Sequence, residues 1–296
     1  MRIRLSSTLV DRYWSDAALI GSLTLLYAPV LLHWVDGWLR KSISIEHEYF
    51  SHGLIGLPFA AYIAWVNRKQ WQRLVVEPSQ VTIGPEKFIG ALLLLVAGIF
   101  YLSGLPDFVN LSLPVLLTAI CLWLKGLPGL KLQSFALLLV FLATPSEIPY
   151  LIAPYTLPLQ SFIAGTAGFI LNQLGLDVTV EQIYLYVNGQ IVEVAPYCAG
   201  LKMLFTSLYV ALMLLYWTDL LRSRLISILF LGCTVIISIT ANIIRNTLLT
   251  YFHGTGKDQA FSWLHEGWGG DVYSALMLGL LVVLVGALDK HFSPTD

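Results

Sequence analysis

The sequence predicts an all-α polytopic membrane protein of about eight transmembrane helices, with both termini cytoplasmic and with a re-entrant or interfacial helix and a small β-hairpin on the outer face. Three observations carry that prediction. Of the 296 residues, 57% are hydrophobic and only 12% charged, about half the roughly 25% with which a soluble domain covers itself. The apolar residues fall in blocks long enough to cross about 30 Å of hydrocarbon at about 1.5 Å per helical residue. The basic residues cluster in alternate connections, as they do where cytoplasmic loops retain positive charge. A net charge of −1 removes the electrostatic case for a nucleic-acid partner, which requires a basic patch, and leaves the lipid bilayer as the partner that composition names. No compositional shift marks a separate soluble domain, so residues 1–296 read as one integral membrane domain. The three cysteines, Cys121, Cys198 and Cys233, are odd in number and widely spaced, and offer neither a disulfide framework nor a paired-cysteine metal site.

Met1 to Tyr13 is polar, and the apolar stretch after it has no small-residue cleavage site, so no cleavable signal peptide is expected. Membrane helices are placed at Ala17 to Val35, Leu54 to Val66, Phe88 to Gly104, Val109 to Leu124, Ser134 to Tyr150, Cys198 to Trp217, Leu225 to Leu249 and Val272 to Leu288. The second is short and contains Pro58, a break that neighbouring helices can satisfy. With the N-terminus inside, 12 of the 17 basic residues lie in inner segments, and only Arg40, Lys41 and Lys257 lie in outer connections. Lys202 and Arg245 fall within predicted helices. Between Lys131 and Lys202 there is no basic residue at all, so that long connection reads as external. Within it, Leu157 to Leu174 is apolar enough to cross. A ninth crossing would put Arg222 and Arg224 outside, so the segment is assigned as re-entrant or interfacial. Val178 to Val194 then reads as a two-stranded hairpin, because Asn188-Gly189 separates two β-branched runs.

Ionisable residues inside a bilayer cost about 2.5 to 3.5 kcal/mol at a helix centre and for that reason mark function. Depth decides which residues bear that cost. Arg245 lies 20 residues after Leu225, about 30 Å along the helix, and so reaches the outer interface. Cys198 opens the preceding helix on the same side, with Lys202 four residues on. His265 sits in the outer connection before the last helix, where His253 competes with it. A lone cysteine in an apolar protein is usually a small hydrophobe, which is the reading for Cys121 and Cys233. Cys198 differs, because Pro196-Tyr197-Cys198-Ala199-Gly200 is a helix start, where backbone N–H groups stabilise a thiolate. A helix-end arginine often only snorkels, but Arg245 shares a polar stripe with Asn242 and Asn246.

Ala195 to Lys202 around Cys198, followed by Asn242-Ile-Ile-Arg245 and then His265, resembles the exosortase/archaeosortase family of integral membrane transpeptidases. That family combines a cysteine in a Cys-Ser-Gly-Leu-Arg-like context with an Asn-x-x-Arg and a later histidine. Tyr49-Phe50-Ser51-His52-Gly53, with Trp65 and Arg68 beyond it, looks like the family's N-terminal motifs, and the resemblance runs from about Glu48 to Leu288. Ala199 and Lys202 depart from a usual serine and arginine. The Pro-Tyr-Cys-Ala-Gly form looks most like the cyanoexosortase branch. The resemblance implies Cys198 as nucleophile, Arg245 as stabiliser of the oxyanion or orienter of the cysteine, and His265 as general acid and base. Tyr49, His52, Lys202 and Asn242 become substrate contacts or supports, with no cofactor, no metal and no fused soluble domain. The implied substrates are exported proteins with a C-terminal signal of a short motif such as Pro-Glu-Pro, one transmembrane helix and a basic cluster. The implied setting is the bacterial inner membrane, with the site facing the periplasm.

Two rival classes fit the composition. A small-molecule transporter would have eight spans too, but no inverted repeat is visible and the titratable groups sit at one interface rather than the midplane. A metal-dependent membrane hydrolase would draw on Glu46, His47, Glu48, His52, His265 and Asp271, but no His-Glu-x-x-His pattern exists.

Overall fold

Residues 7–39, 49–74, 84–194, 200–265 and 267–292 are described in a computed structural model of the chain. Their spatial contacts divide into two compact units, Met1–Glu48 with Pro58–Ser146, and Tyr49–Leu57 with Glu147–Asp296.

In the first unit, α1 spans Ser7–Leu39 and α2, Gly53–Val66, gives it the residues from Pro58 onward. The stub α3 (Arg68–Arg73) follows, then α4 (Pro85–Leu102) and α5 (Pro106–Ala143). Two helices were expected between residues 109 and 150, joined by a loop carrying Lys125 and Lys131. The two helices are present within the run Pro106–Ala143, but in place of a loop they are joined by a sharp kink at one residue, Gly126 (φ 62°, ψ −157°), a backbone region closed to side-chain-bearing residues. Pro128 begins the new turn, where its missing N–H costs nothing. The freed N–H of Leu127 donates to the Glu86 carboxylate at 2.8 Å, and the Lys125 ammonium donates to the carbonyl of Leu74 at 2.6 Å. The charges read as loop residues thus tie the kink to α4 and to the end of α3. Gly90 lets α4 approach the α5 backbone at Ala119 and Trp123. Trp34, fully buried, donates to Asn110, whose amide donates in turn to the carbonyl of Pro145 where α5 has ended.

In the second unit, α6 (Ile148–Ile152) and a 3-10 turn lead into α7 (Leu157–Gln173). The hairpin expectation is extended by the structure. β1 (Val178–Glu181), β2 (Tyr184–Val187) and β3 (Gln190–Glu193) form an antiparallel three-stranded meander. Asn188 (φ 48°) and Gly189 (φ 79°) make the expected turn, while Gln182 (φ 55°) makes a second turn that no glycine or asparagine announces. The sheet covers α7: Ile163, Ala164, Ala167 and Leu171 bury against Val178, Leu185, Val187 and Val194, and a side chain at Gly168 would overlap Val180.

The remaining elements are α8 (Leu201–Trp217), α9 (Arg224–Gly254), α10 (Asp258–His265) and α11 (Trp268–Phe292). Ala211 and Leu215 of α8, Phe230 of α9, and Leu281 and Val285 of α11 form their shared core. α9 runs five residues past the expected Leu249, and its 31 residues reach about 46 Å, more than the roughly 30 Å of a hydrocarbon core. Its far end carries the sheet: Asn188 donates to the carbonyl of Gly254 at 2.8 Å, and Val187 fills the space a side chain at Gly254 would take.

By length and composition, Pro85–Leu102, Pro106–Ala143, Arg224–Gly254 and Trp268–His291 can each cross a membrane, while Gly53–Val66 and Leu201–Trp217 are apolar but shorter.

Candidate active site

Ala195–Ala199, and Cys198 with them, lie outside the described residues, so the site is built from what flanks them. Val194, at the end of β3, is fully buried, and its carbonyl accepts from the buried amide of Gln160 on α7 at 2.9 Å. On the other side, α8 begins at Leu201 rather than at Cys198, with Gly200 as its N-cap in the left-handed conformation (φ 79°, ψ 12°). Lys202 is the second residue of α8 and half-buried.

The side chain of Asn242, 1% exposed, lies against Gly200: a Cβ there would stand 2.6 Å from its Cγ and 2.7 Å from Nδ2. One turn further along α9, Asn246 donates to the carbonyl of Asn242 at 2.9 Å and to its Oδ1 at 3.2 Å. That fixes the Asn242 amide with its NH2 group toward Gly200, and among the described residues Nδ2 has no hydrogen-bond partner. Arg245 comes from the same stretch of α9. Its guanidinium end lies 3.8 Å from where a Cβ of Gly270 would be, which places it beside the first turn of α11. Tyr273, next to Arg245, donates to the carbonyl of Ala241 at 2.5 Å and fastens α11 to α9. The Nε of Arg245 is buried and also has no partner among the described residues.

Asn246 passes the network to a cavity of about 130 Å³, lined by Ile191, Val192 and Glu193 of β3, Asn246, Leu249 and His253 of α9, and Phe261 and His265 of α10. Phe261 stacks nearly parallel on His265 (centroids 5.1 Å apart, planes 10° apart) and lies 5.0 Å from the ring of His253. Both histidines that the sequence offered therefore face one cavity. Sequence reasoning missed Phe261 and Glu193 there, although Phe261 and His265 at i and i+4 on a short helix are a readable pair.

Tyr49 and His52 pack against α8 away from its N-cap. The Tyr49 ring meets Phe205 edge-on at 6.5 Å, and the buried His52 ring lies 4.3 Å from that of Tyr209. Tyr209 is nine residues beyond Gly200, about 13 Å of helix rise. The carbonyl of His52 also accepts from Ile55 and Gly56, which starts α2. Among the described residues no three His, Cys, Asp or Glu side chains are grouped to hold a metal.

Gly200→Ala provides a local test of how this end of α8 is set. A left-handed alanine costs about 1–2 kcal/mol, and its methyl would also have to displace the buried Asn242 amide. The expected result is a lowered unfolding temperature in detergent together with a loss of activity. Wild-type values of both would mean that Gly200 does not lock this corner.

Fold and site together define an integral membrane protein in which α9 sets Asn242 against the N-cap of α8 and carries Asn246 and His253 to a cavity that His265 also lines. The chain belongs to the transmembrane exosortase family, whose model matches residues 20–282. No curated protein and no solved structure matches it.

Proposed function

We propose that this protein is a cysteine-dependent membrane peptidase and transpeptidase. It cleaves the C-terminal sorting signal of exported proteins at the periplasmic face of the bacterial inner membrane and passes the product to an acceptor for anchoring or export. In this reading residues 1–296 form one membrane domain of about eight crossings with both termini inside, and the Pro-Tyr-Cys-Ala-Gly sequence assigns it to the cyanoexosortase branch.

One observation carries the proposal. Asn242 Nδ2 and Arg245 Nε are buried donors three residues apart on α9, neither has a partner among the described residues, and the first faces Gly200, two residues after Cys198 in the chain. A buried donor left unmade costs about 1–3 kcal/mol, and such groups persist where a developing negative charge completes them. The Cys198 thiolate attacks the carbonyl carbon at the signal, forming a C–S bond and moving the π electrons onto oxygen. Arg245 and Asn242 hold that oxyanion. Its collapse breaks the C–N bond, and His265 protonates the departing amine, leaving a thioester. His265 then takes the proton of the acceptor as it attacks the thioester carbonyl, and the thiolate leaves. Lys202 adds positive charge at the start of α8, and Tyr49 and His52 support that helix from its side.

The histidines separate the roles. His265→Asn is expected to slow processing of a co-expressed sorting-signal protein by about 10²- to 10⁴-fold, the usual share of a general acid–base group, and His253→Asn to retain most of it. The reverse order would move the acid–base role to His253. Full activity in both variants would remove histidine from the mechanism.

A further inference from the structure

The edge of the sheet beside the histidines has not been used by this chemistry. In a two-residue hairpin the closing pair exchanges both backbone hydrogen bonds and the pairs then alternate. Val187–Gln190 closes the β2–β3 turn, so Gln190 and Val192 bond inward to β2, while the N–H and C=O of Ile191 and Glu193 point away from the sheet. The bond from Val194 N–H to the carbonyl of Ile183 continues the same alternation. At the opposite edge the outward groups of Val178, where the strand begins, are taken by the Asn172 side chain at 2.9 Å each. On β3, by contrast, Ile191 is 57% exposed, and Ile191, Val192 and Glu193 form a wall of the cavity that His253 and His265 share. Among the described residues nothing bonds to the outward groups of Ile191 and Glu193.

Natural sheets cover or blunt such an edge, because it is a template for another strand. Here the β1 edge is capped by a side chain at its first residue, and the β3 edge opens onto the cavity of the candidate acid–base residue. Donors and acceptors repeating every second residue, about 6.8 Å apart, match an extended peptide backbone. We propose that the reacting segment of the substrate binds as a fourth strand on β3, its backbone paired with Ile191 and Glu193, so that it enters the cavity extended. This rests on the peptidase reading and adds how the peptide is held: by its main chain, with side-chain choice at alternate positions.

The test uses the full-length protein carrying Cys198→Ala, in which binding needs no chemistry. The probe is an exported reporter ending in a short motif, one transmembrane helix and a basic cluster, with a photo-cross-linking residue placed at successive motif positions. Cross-links to β3 are expected to alternate with a period of two. Ile191→Pro removes an outward N–H at an edge position where the sheet tolerates proline, and is expected to cut cross-linking by about tenfold, the worth of one or two backbone hydrogen bonds. Ile191→Ala, which keeps the backbone, should lose several-fold less. Cross-links without alternation, or a folded Ile191→Pro protein that captures the reporter like its parent, would overturn the proposal. If the proline variant unfolds, the period of the cross-links decides alone. Processing of the reporter that survives Cys198→Ala would instead sink the peptidase reading, whatever the cross-links show.

Discussion

Cys198→Ala is expected to abolish processing, by about 10³-fold or more, with the uncleaved substrate accumulating in the membrane. Loss of a nucleophile removes the covalent route, and what remains is the small catalysis that binding and oxyanion stabilisation supply alone. The other two thiols are internal controls. Cys121 is buried in the middle of α5, and Cys233 is exposed on the part of α9 remote from Gly200. Alanine at either is expected to leave processing at the wild-type level. Processing that survives Cys198→Ala, or that falls equally with all three variants, would contradict a dedicated nucleophile. Because Ala195–Ala199 lie outside the described residues, this experiment also carries the assignment of Cys198 itself.

Arg245→Ala is the second large effect, expected to lower the processing rate about 10²- to 10³-fold, as does removal of a donor from an oxyanion site. Lysine should rescue little, since an ammonium has no Nε donor and no planar fork. Asn242→Ala should cost a similar order, because in the proposed mechanism Asn242 and Arg245 act on the same charge. The double variant is then expected to lose less than the product of the two single losses. Independent, multiplicative losses would place the two side chains in separate roles.

The class of fold was legible because membrane helices have a length and a composition: α2, α4, α8, α9 and α11 each contain or overlap an expected apolar block. The polar stripe of Asn242, Arg245 and Asn246 was legible too, as three costly side chains within two turns of one helix. Other features depended on signals that a sequence carries weakly. The turn at Gln182 uses a positive φ without glycine or asparagine, so one expected strand was in fact two. Pro128, Lys125 and Lys131 read as a loop, but one glycine and the Glu86 carboxylate turn the chain at a kink that joins the two expected helices directly. α9 outruns its apolar block, and its end packs on the sheet, where the Asn188 amide donates to the Gly254 carbonyl and Val187 lies against Gly254. The pairing of His265 with Phe261 and the closeness of Asn242 to Gly200 are tertiary facts: only the spacing of the first was visible, and the second depends on how α8 starts.

The most direct test of the account is the mass of the Cys198 peptide. Purified full-length protein mixed with a sorting-signal substrate, quenched in acid and digested, should yield that peptide carrying the substrate's acyl fragment. The linkage should be released by neutral hydroxylamine and be more abundant in His265→Asn if deacylation slows. Turnover of substrate with an unmodified Cys198 peptide, and undiminished turnover by Cys198→Ala, would contradict acyl transfer through this thiol.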